Sequence, residues 1–490
     1  MGKSNDKSSR HLEVERKFDV VDSTVSPSFD GLSSVVRVER APVHRLEAVY
    51  FDTPDHALAA RRITLRRRTG GADAGWHLKL PAGPDARTEV REPLGEEDEV
   101  PATLRDVVLS IVRDRPLGPV ARISTRRTVD LLYGPDGTPT AEFCDDEVTA
   151  AAEPGGPEQR WREWELELTD GADRELLDRL SNRLIDARAA PAASGSKLAR
   201  VLAESSQPEA VPRPADPVHR AVAEQVEELI EWDRAVRADV DDSVHQMRVT
   251  TRKIRSLLQS SREAFGISDD AWILDELRQL AAILGVARDA EVLAERYEQA
   301  LDELSEELVR GPVRERLVDG ANRRYAAGLR RSLIAMRSQR YFRLLDALEG
   351  LVAAEPAPRD EEERGQATID AAYKRVRKAA KAAAEADAEK DEALHRIRKG
   401  AKRLRYTAAA TGAAKVSDRA KAVQSLLGDH QDSVVSRTHL AQQAEAAHAA
   451  GEDTFTYGLL YQQEVEVAQR AREQLDGALT KLAKAVRKAR

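Results

Sequence analysis

Two kinds of hydrophobic spacing divide the chain near its middle. Before residue 204, apolar and polar residues alternate in short stretches separated by turn segments such as PAGPD (81–85) and YGPDGTP (133–139). Alternation with a period of two is typical of β-strands joined by tight turns. After residue 217, apolar residues recur three and four positions apart in long segments rich in Ala, Leu, Glu and Arg, which predicts helices. The pattern predicts an α+β multidomain protein with a strand-rich first half and an all-helical second half.

Proline-rich and polar segments mark the predicted domain limits. Residues 204–217 contain four prolines without hydrophobic periodicity, so we expect a linker there. Residues 1–9 are polar and lack the apolar stretch of a secretion signal, so we expect a disordered start. The acidic, proline-containing segment at 353–365 divides the helical half into two similar lengths, about 218–352 and 366–490. The predicted domains are therefore residues 10–203 and 218–490.

Composition limits the partners and the compartment. No apolar run approaches the ~20 residues of a membrane span, so we expect no membrane partner. Cys144 is the only cysteine, which excludes an internal disulfide framework or a CxxC pair and fits a reducing cytoplasm. The formal net charge is −8, so affinity for polyanions requires local clusters of Lys and Arg.

Several predicted strands carry charged side chains on one face and apolar side chains on the other. In HLEVERKF (11–18), the charged residues Glu13, Glu15 and Lys17 alternate with Leu12, Val14 and Phe18. The same alternation groups Arg66 with Arg68, His77 with Lys79, and Glu163 with Glu165 and Glu167. One interpretation is a sheet whose charged face meets solvent and carries cross-strand ion pairs. The other is a closed barrel with the charges inside, around a ligand that binds both signs, such as a triphosphate with Mg²⁺ or Mn²⁺.

The helical half contains an internal repeat. HQMRVTTRKIR (245–255) matches HRIRKGAKRLR (395–405), and LGVARD (284–289) resembles LGDHQD (427–432). The repeated basic positions are His245, Arg248, Arg252 and Arg255 in the first copy, and His395, Arg398, Lys402 and Arg405 in the second. On a helix these offsets fall within an arc of about 80°, so each copy forms one basic stripe. A solvated basic face is the simple interpretation, and a linear run of phosphates is the alternative. Nucleic acid would satisfy the same electrostatics, but the 4% aromatic content and the absence of interleaved stacking residues argue against it.

These motifs together resemble two families. The ExExK signature Glu13–Lys17 resembles the start of the CYTH superfamily, the triphosphate tunnel metalloenzymes. Supporting pieces follow in the expected order: YFDTPDHALAARRITLRRR (50–68), HLKLP (77–81), STRRTV (124–129), AEFCDDEV (141–148), EWELEL (163–168) and SGSKLAR (194–200). Residues 218–490 resemble a CHAD domain, the conserved-histidine α-helical domain. The resemblance implies an eight-stranded antiparallel tunnel followed by two pseudo-symmetric helical bundles.

The resemblance also implies roles by position. The implied phosphate-binding residues are Lys17, Arg66, Arg68, Lys79, Arg127 or the competing Arg126, Lys197 and Arg200. The implied metal ligands, for Mg²⁺ or Mn²⁺, are Glu13, Glu15, Glu142, Asp145, Glu163, Glu165 and Glu167, and the implied catalytic residues are Glu13, Glu15 and Lys17. Glu142 and Asp145 have opposite strand parity, so both face a lumen only if a bulge or a strand end intervenes. The eight basic positions of the repeat are the implied polyphosphate-binding set.

Three functional hypotheses follow. The first is an inorganic triphosphatase that splits triphosphate by in-line attack of water, with polyphosphate bound by the helical domain. The second is a CYTH enzyme with an organic triphosphate, either a thiamine triphosphatase or an adenylate cyclase. The third is a non-catalytic polyphosphate-binding protein associated with polyphosphate granules. No GxxxxGK[ST], GxGxxG or HExxH motif supports P-loop, dinucleotide or zincin chemistry.

Overall fold

The computed structural model describes residues 9–95, 99–203, 216–268, 271–354, 369–385, 390–410 and 412–489. These residues form two compact units, one ending at Ala203 and the other beginning at Asp216. The predicted linker lies mostly outside the described residues, as do the acidic break and residues 1–8 of the predicted disordered start. Ser9, also predicted to be disordered, is the first residue of a strand.

The described residues of the first unit form ten strands: β1 (Ser9–Val20), β2 (Arg37–Arg40), β3 (His44–Asp52), β4 (Thr64–Thr69), β5 (Gly75–Pro81), β6 (Ala86–Glu92), β7 (Gly118–Tyr133), β8 (Pro139–Ala152), β9 (Gln159–Leu168) and β10 (Ala190–Pro191). Its helices are α1 (Ala102–Val107), α2 (Leu109–Val112), α3 (Arg174–Asp186) and α4 (Lys197–Ala203), with a 3₁₀ turn at Ala59–Arg61.

Eight of these strands close into an antiparallel barrel. Their order is β1–β6–β5–β4–β3–β7–β8–β9, and β9 pairs back with β1. Strand β1 closes the barrel because Ser9–Val14 pairs with β6 while Val14–Val20 pairs with β9. Strands β2 and β10 add to β7 and β1 from outside this ring. The predicted eight-stranded tunnel is confirmed.

Apolar residues cover part of the outer wall of the barrel. Helix α3 begins at the N-cap Asp173, whose side chain accepts a hydrogen bond from Glu175 N, and its leucines recur on one face. That face packs with Phe143, Trp164 and Leu166 of the strands. Since strand side chains alternate between faces, an apolar outer wall turns the intervening charged side chains toward the lumen.

Helix α4 contributes to a second apolar cluster. Its Leu198, Val201 and Leu202 pack with strand residues that include Ile123 and Val148. Ile123 also lines the barrel cavity, so this cluster adjoins the cavity. Because α4 starts at Lys197, its first side chain is positioned among the lumen residues.

The second unit is helical throughout its described residues. Its helices are α5 (Pro217–Arg237), α6 (Ser243–Ser260), α7 (Trp272–Asp302), α8 (Gly320–Met336), α9 (Gln339–Ala353), α10 (Ile369–Glu385), α11 (Lys390–Ala410), α12 (Ala414–Ala449) and α13 (Phe455–Lys488). Short 3₁₀ turns lie at Arg262–Phe265 and Glu306–Leu308, and a π-helical turn at Glu315–Asp319 precedes α8.

The helices follow the same packing order in both halves of this unit. Helices α5 to α8 each pack on the next, and so do α10 to α13, while α9 packs on α5, α7 and α8. The two halves share an apolar cluster in which Tyr297 and Leu301 of α7 meet Leu440 of α12 and Tyr457 of α13. In each half the repeated histidine lies on the second helix, α6 or α11.

Among the described helices, none combines the length and the apolar character that crossing a membrane requires.

Candidate functional site

A cavity of about 540 Å³ lies within the barrel, and its walls are charged. The sequence-predicted residues that line it are Glu13, Glu15, Lys17, Arg66, Arg68, Lys79, Arg127, Glu142, Glu165, Glu167 and Lys197. They come from six of the eight barrel strands, β1, β4, β5, β7, β8 and β9, and from the first position of α4. The charged strand faces thus turn inward, and the solvated-sheet interpretation is wrong for them.

The ammonium of Lys197 joins three buried carboxylates. Its Nζ lies 2.8 Å from Asp146 Oδ2, 2.7 Å from Glu163 Oε1 and 2.8 Å from Glu165 Oε1. Arg127 also contacts Asp146 and Glu165. Burial would raise the pKa of Glu165, but Lys17, Lys197 and Arg127 hold it well below its usual range. Glu165 is therefore charged, and all three carboxylates contact cations.

The structure corrects three predicted positions. Asp145 lies on the outer parity of β8, where Arg162 donates to both its carboxylate oxygens, and its neighbour Asp146 faces inward. Arg126 is half exposed and pairs with Glu147 outside, whereas Arg127 lines the cavity. Neither position contains a bulge, so in each pair of neighbouring residues one side chain faces the lumen and the other faces outward.

Arg200 is the third correction. It lies one helical turn beyond Lys197, where its guanidinium contacts Asp19 and lies over the ring of Trp161. It is absent from the cavity lining formed by the described residues. Glu163 is buried and contacts Lys197 and Trp161 Nε1, so it supports the site from behind that lining.

The sequence interpretation missed the charged face of β6. Arg87, Glu89 and Arg91 alternate along ARTEVRE and line the cavity. Glu89 is buried, and His77 Nδ1 lies 2.8 Å from its carboxylate. Burial would raise the pKa of Glu89, but His77 and Lys79 hold it well below its usual range. The alternation of charges in 86–92 was the signal available in the sequence.

Three guanidinium groups create a local excess of positive charge. Arg66 contacts Tyr50 Oη at 3.3 Å and has no carboxylate within ion-pair distance among the described residues. Arg68 is buried and pairs with Asp73. Burial together with the nearby Arg66 and Arg127 lowers the pKa of Arg68 to about 9. Such a cluster suits an anion with several negatively charged oxygens.

Carboxylates on three adjacent strands create the opposite excess. Glu15 of β1 and Glu142 of β8 are both register partners of Glu167 on the strand between them, β9. Burial and the nearby Glu13, Glu15 and Glu165 raise the pKa of Glu167 to about 7, against the lowering effect of Lys79. The repulsion among these oxygens would be relieved by a hard divalent cation, so the donor set fits Mg²⁺ or Mn²⁺.

Asp146, Glu163 and Glu165 form a second acidic group, with ligand atoms that lie within 4.8 Å of one another. Lys197 contacts all three carboxylates, so this group has less unpaired negative charge than the group around Glu167. The group at Glu15, Glu142 and Glu167, with the neighbouring Glu13, is therefore the better fit to a metal ion.

In the helical unit, five basic residues of the two repeats come together. Arg248 and Arg252 of α6 and Arg398 and Arg405 of α11 act electrostatically on Lys402. Burial and these four guanidiniums lower the pKa of Lys402 to about 7. We call these five residues the convergent basic patch. Arg255 instead donates to Leu274 O at 3.1 Å, which helps to hold α6 on α7.

The two repeated histidines are half-buried. Burial lowers the pKa of both histidines, with Arg288 the next largest cause for His245 and Lys399 for His395, so both rings are neutral near pH 7. Arg252 acts electrostatically on His395, which lies beside the convergent basic patch. His245 lies near Arg288, Asp242, Arg248 and Glu291.

Comparison with known proteins agrees with this geometry. The profile of the CYTH domain matches residues 11–201, and that of the CHAD domain matches residues 220–441. The chain is a CYTH–CHAD protein. Two similar relatives of this CYTH–CHAD protein are the uncharacterized proteins Rv2226 and MT2285, from two strains of Mycobacterium tuberculosis. Each is 68% identical over 503 residues, which cover 98% of this chain and 98% of the relative.

Solved structures resemble each unit of the CYTH–CHAD protein separately. The CHAD domain from the plant Ricinus communis is 21% identical with a TM-score of 0.43, covering 54% of this chain and 90% of that one. The putative adenylyl cyclase HpAC1 from Hippeastrum, described as having a dominant triphosphatase activity, is 16% identical with a TM-score of 0.25. That match covers 40% of this chain and 97% of HpAC1.

Proposed function

We propose that this CYTH–CHAD protein is a metal-dependent inorganic triphosphatase whose helical unit binds longer polyphosphate. The observation that carries the proposal is the charge arrangement of the cavity. An excess of guanidinium around Arg66 and an excess of carboxylate around Glu167 share one lumen. A triphosphate bound with a divalent cation compensates both, whereas either ion alone compensates one. CYTH proteins act on triphosphates and depend on metal, which agrees with this assignment.

The side chains divide the work of hydrolysis between them. Arg66, Arg68 and Arg127 hold phosphate oxygens and stabilise the charge that develops in the transition state. Lys17 and Lys79 are further phosphate-binding cations; Lys17 contacts Glu15 and Glu165, and Lys79 contacts Glu13. Glu13 and Glu15 orient the attacking water, and Glu13, whose pKa is raised by burial, accepts its proton. A divalent cation held by Glu13, Glu15, Glu142 and Glu167 would supply charge neutralisation and alignment of the phosphates.

Water attacks the terminal phosphorus in line with the bond to the leaving group. One P–O bond forms and the phosphoanhydride bond breaks, so triphosphate and water yield phosphate and diphosphate. The reaction needs no covalent enzyme intermediate. The cations of the lumen are fixed in place by the barrel, so they stabilise the developing charge with little reorganisation.

The cavity favours an inorganic substrate over a nucleotide or thiamine triphosphate. Among the described lining residues, His11, His44 and Tyr50 are the only ones with aromatic rings, and Tyr50 Oη is already engaged by Arg66. The apolar lining residues, among them Leu46, Val129 and Leu131, are aliphatic and provide no aromatic ring on which a purine or thiazole could stack, whereas the charged lining residues suit phosphate.

Phosphate release tests the proposal on the full chain. Triphosphate, ATP, thiamine triphosphate and long polyphosphate are supplied with Mg²⁺ or Mn²⁺, with a chelator as control. We expect triphosphate to have the highest kcat/KM and to yield equal amounts of phosphate and diphosphate. Preference for an organic triphosphate would favour the second hypothesis, and polyphosphate binding without phosphate release from any substrate would favour the non-catalytic one.

A further inference from the structure

The repeated segments LGVARD and LGDHQD each contain a glycine inside a helix. Gly285 lies in the middle of α7 and Gly428 in the middle of α12, and both are buried. Neither has a positive φ, so backbone conformation does not require glycine at either position. Glycine is less favourable than alanine in a helix interior, and this chain accepts that cost at equivalent positions of both repeats.

Each glycine lies against an arginine of the convergent basic patch. A Cβ at residue 285 would lie 3.3 Å from Nε and 3.4 Å from Nη2 of Arg248. A Cβ at residue 428 would lie 3.4 Å from Nη2 and 3.9 Å from Cζ of Arg398. Each guanidinium therefore lies against the helix at the point where any other residue would place its Cβ.

Further contacts hold the same arginines. Arg248 Nε donates to Ala281 O at 3.2 Å, one turn before Gly285, and its Nη1 lies 3.9 Å from Asp289. In the second repeat, Arg398 acts electrostatically on Asp432, which occupies the same place relative to Gly428 as Asp289 does to Gly285. Each repeat thus places one arginine over one glycine, with an aspartate four residues further along the helix.

We infer that Gly285 and Gly428 are positioning residues that aim Arg248 and Arg398 at a bound phosphate chain. The inference rests on the proposed binding of polyphosphate by the helical unit. A guanidinium laid against a helix backbone loses rotamer freedom before the ligand arrives, so less entropy is lost when it donates to phosphate oxygens. A side chain larger than alanine at either glycine would displace the guanidinium from this surface, whereas an alanine Cβ would require only a small shift of Arg248 and would make ordinary contact with Arg398.

A double-mutant cycle on the full chain separates positioning from a merely structural role. Affinity for long-chain inorganic polyphosphate is measured for wild type, Gly285→Leu, Arg248→Gln and the double variant. We expect Gly285→Leu to weaken binding about tenfold, comparable to losing one charge-assisted hydrogen bond. In the Arg248→Gln background the same leucine should change affinity less than twofold, because its target is gone. Gly428→Leu with Arg398→Gln repeats the cycle in the second copy.

The control is Gly477→Leu in α13, where a Cβ would have no atom within 4 Å. This variant should bind as wild type does. Thermal unfolding identifies variants that fail to fold, and Gly285→Ala provides a smaller change if leucine prevents folding. Equal losses from leucine with and without Arg248 would overturn the positioning role, as would wild-type affinity in both glycine variants. Failure of the wild-type chain to bind polyphosphate would instead overturn the proposed function and the inference with it.

Discussion

Arg66 and Glu167 are lumen side chains without an ion-pair partner among the described residues. Arg66 contacts only the hydroxyl of Tyr50 at hydrogen-bond distance, and Glu167 lies among other carboxylates. Most other charged residues of the lumen, such as Lys197, are paired and so contribute to the barrel as well as to its site. An unpaired half-buried charge does not stabilise the folded state. Replacing Arg66 or Glu167 should therefore affect activity without reducing the free energy of unfolding.

Replacing Arg66 tests this separation. Arg66→Gln should reduce kcat/KM for triphosphate about 100-fold, the usual cost of removing one donor to transition-state charge. The melting temperature should stay the same or rise because repulsion with Arg68 and Arg127 is relieved. Arg126→Gln is the matched control, since its half-exposed side chain pairs outside the barrel, and activity should stay within about twofold. A parallel loss of activity and stability in Arg66→Gln would contradict the assignment.

Glu167 predicts a pH effect on stability in the metal-free protein. Its folded pKa of about 7 exceeds the ordinary value of 4.5, so the folded state binds the proton more tightly than the unfolded state. The resulting stability is fully present below about pH 4.5 and is lost as pH rises through about 7. As the pH rises from 5 to 8, the free energy of unfolding of Glu167→Gln should therefore increase relative to that of wild type by on the order of 2 kcal/mol.

Denaturant unfolding in a chelator at both pH values measures this difference. Glu158→Gln, an exposed residue that pairs with Arg160, is the control and should show no such gain. Added Mg²⁺ should stabilise wild type more than Glu167→Gln at pH 8, because binding of the metal requires the charged carboxylate. Equal pH dependence of wild type and Glu167→Gln would show that Glu167 titrates normally.

Alternation along single strands determines how far the sequence predicts this site. It correctly grouped Glu13, Glu15 and Lys17 on one face, because a period of two is local information. It left open whether that face met solvent or a lumen, because closure depends on β1 pairing with both β6 and β9. Long-range pairing leaves no local mark, so only the family resemblance favoured the barrel.

Register explains the remaining misses. STRRTV contains two adjacent arginines and CDDEV three adjacent acids, and only strand parity decides which of them enters the lumen. Arg127 and Asp146 are register partners on adjacent strands, so both side chains lie on the same face of the sheet. In the helical unit the spacing did predict the basic stripes, but it gave no indication that Arg255 would bind a carbonyl of α7.

Helix α4 places one cation, Lys197, among three buried acids, and replacing Lys197 tests how much this contact stabilises the protein. Lys197→Gln would leave Asp146, Glu163 and Glu165 sharing only Arg127 and Lys17. We expect a loss of about 3 kcal/mol at pH 8, typical of breaking a buried ion pair. Since Lys197 lowers the pKa of Asp146 and of Glu165, its removal raises both, and protonation at pH 5 should recover part of the loss.

Arg200→Gln on the same helix is the control for Lys197→Gln. The Arg200 side chain and its partner Asp19 are partly exposed, so the cost should be about 1 kcal/mol or less at both pH values. Denaturant unfolding of the three proteins at pH 5 and pH 8 measures these costs. A loss from Lys197→Gln that does not change with pH would show that packing of α4, rather than charge compensation, is what Lys197 provides.

The two proposed polyanion sites lie in two separately packed units of one chain. The barrel site mixes cations with carboxylates, which suits the proposed short phosphate chain with a metal ion. The convergent basic patch is formed by cations and includes Lys402, whose pKa of about 7 reflects burial and its four arginine neighbours. The two sites should therefore differ in their response to metal, salt and pH.

Full-length variants can separate the two sites. Arg66→Gln should abolish most triphosphate hydrolysis and leave polyphosphate affinity unchanged, while Arg252→Gln with Lys402→Gln should weaken polyphosphate binding at least about tenfold and spare hydrolysis. Binding in a chelator should persist, because the patch needs no metal, and should weaken as salt rises. Between pH 6 and pH 8 wild-type affinity should fall as Lys402 loses its proton, whereas Lys402→Arg keeps its charge and should flatten that profile. Substitutions at independent sites do not affect each other's activity. Loss of both hydrolysis and polyphosphate binding in either set of variants would therefore show that the two sites are coupled.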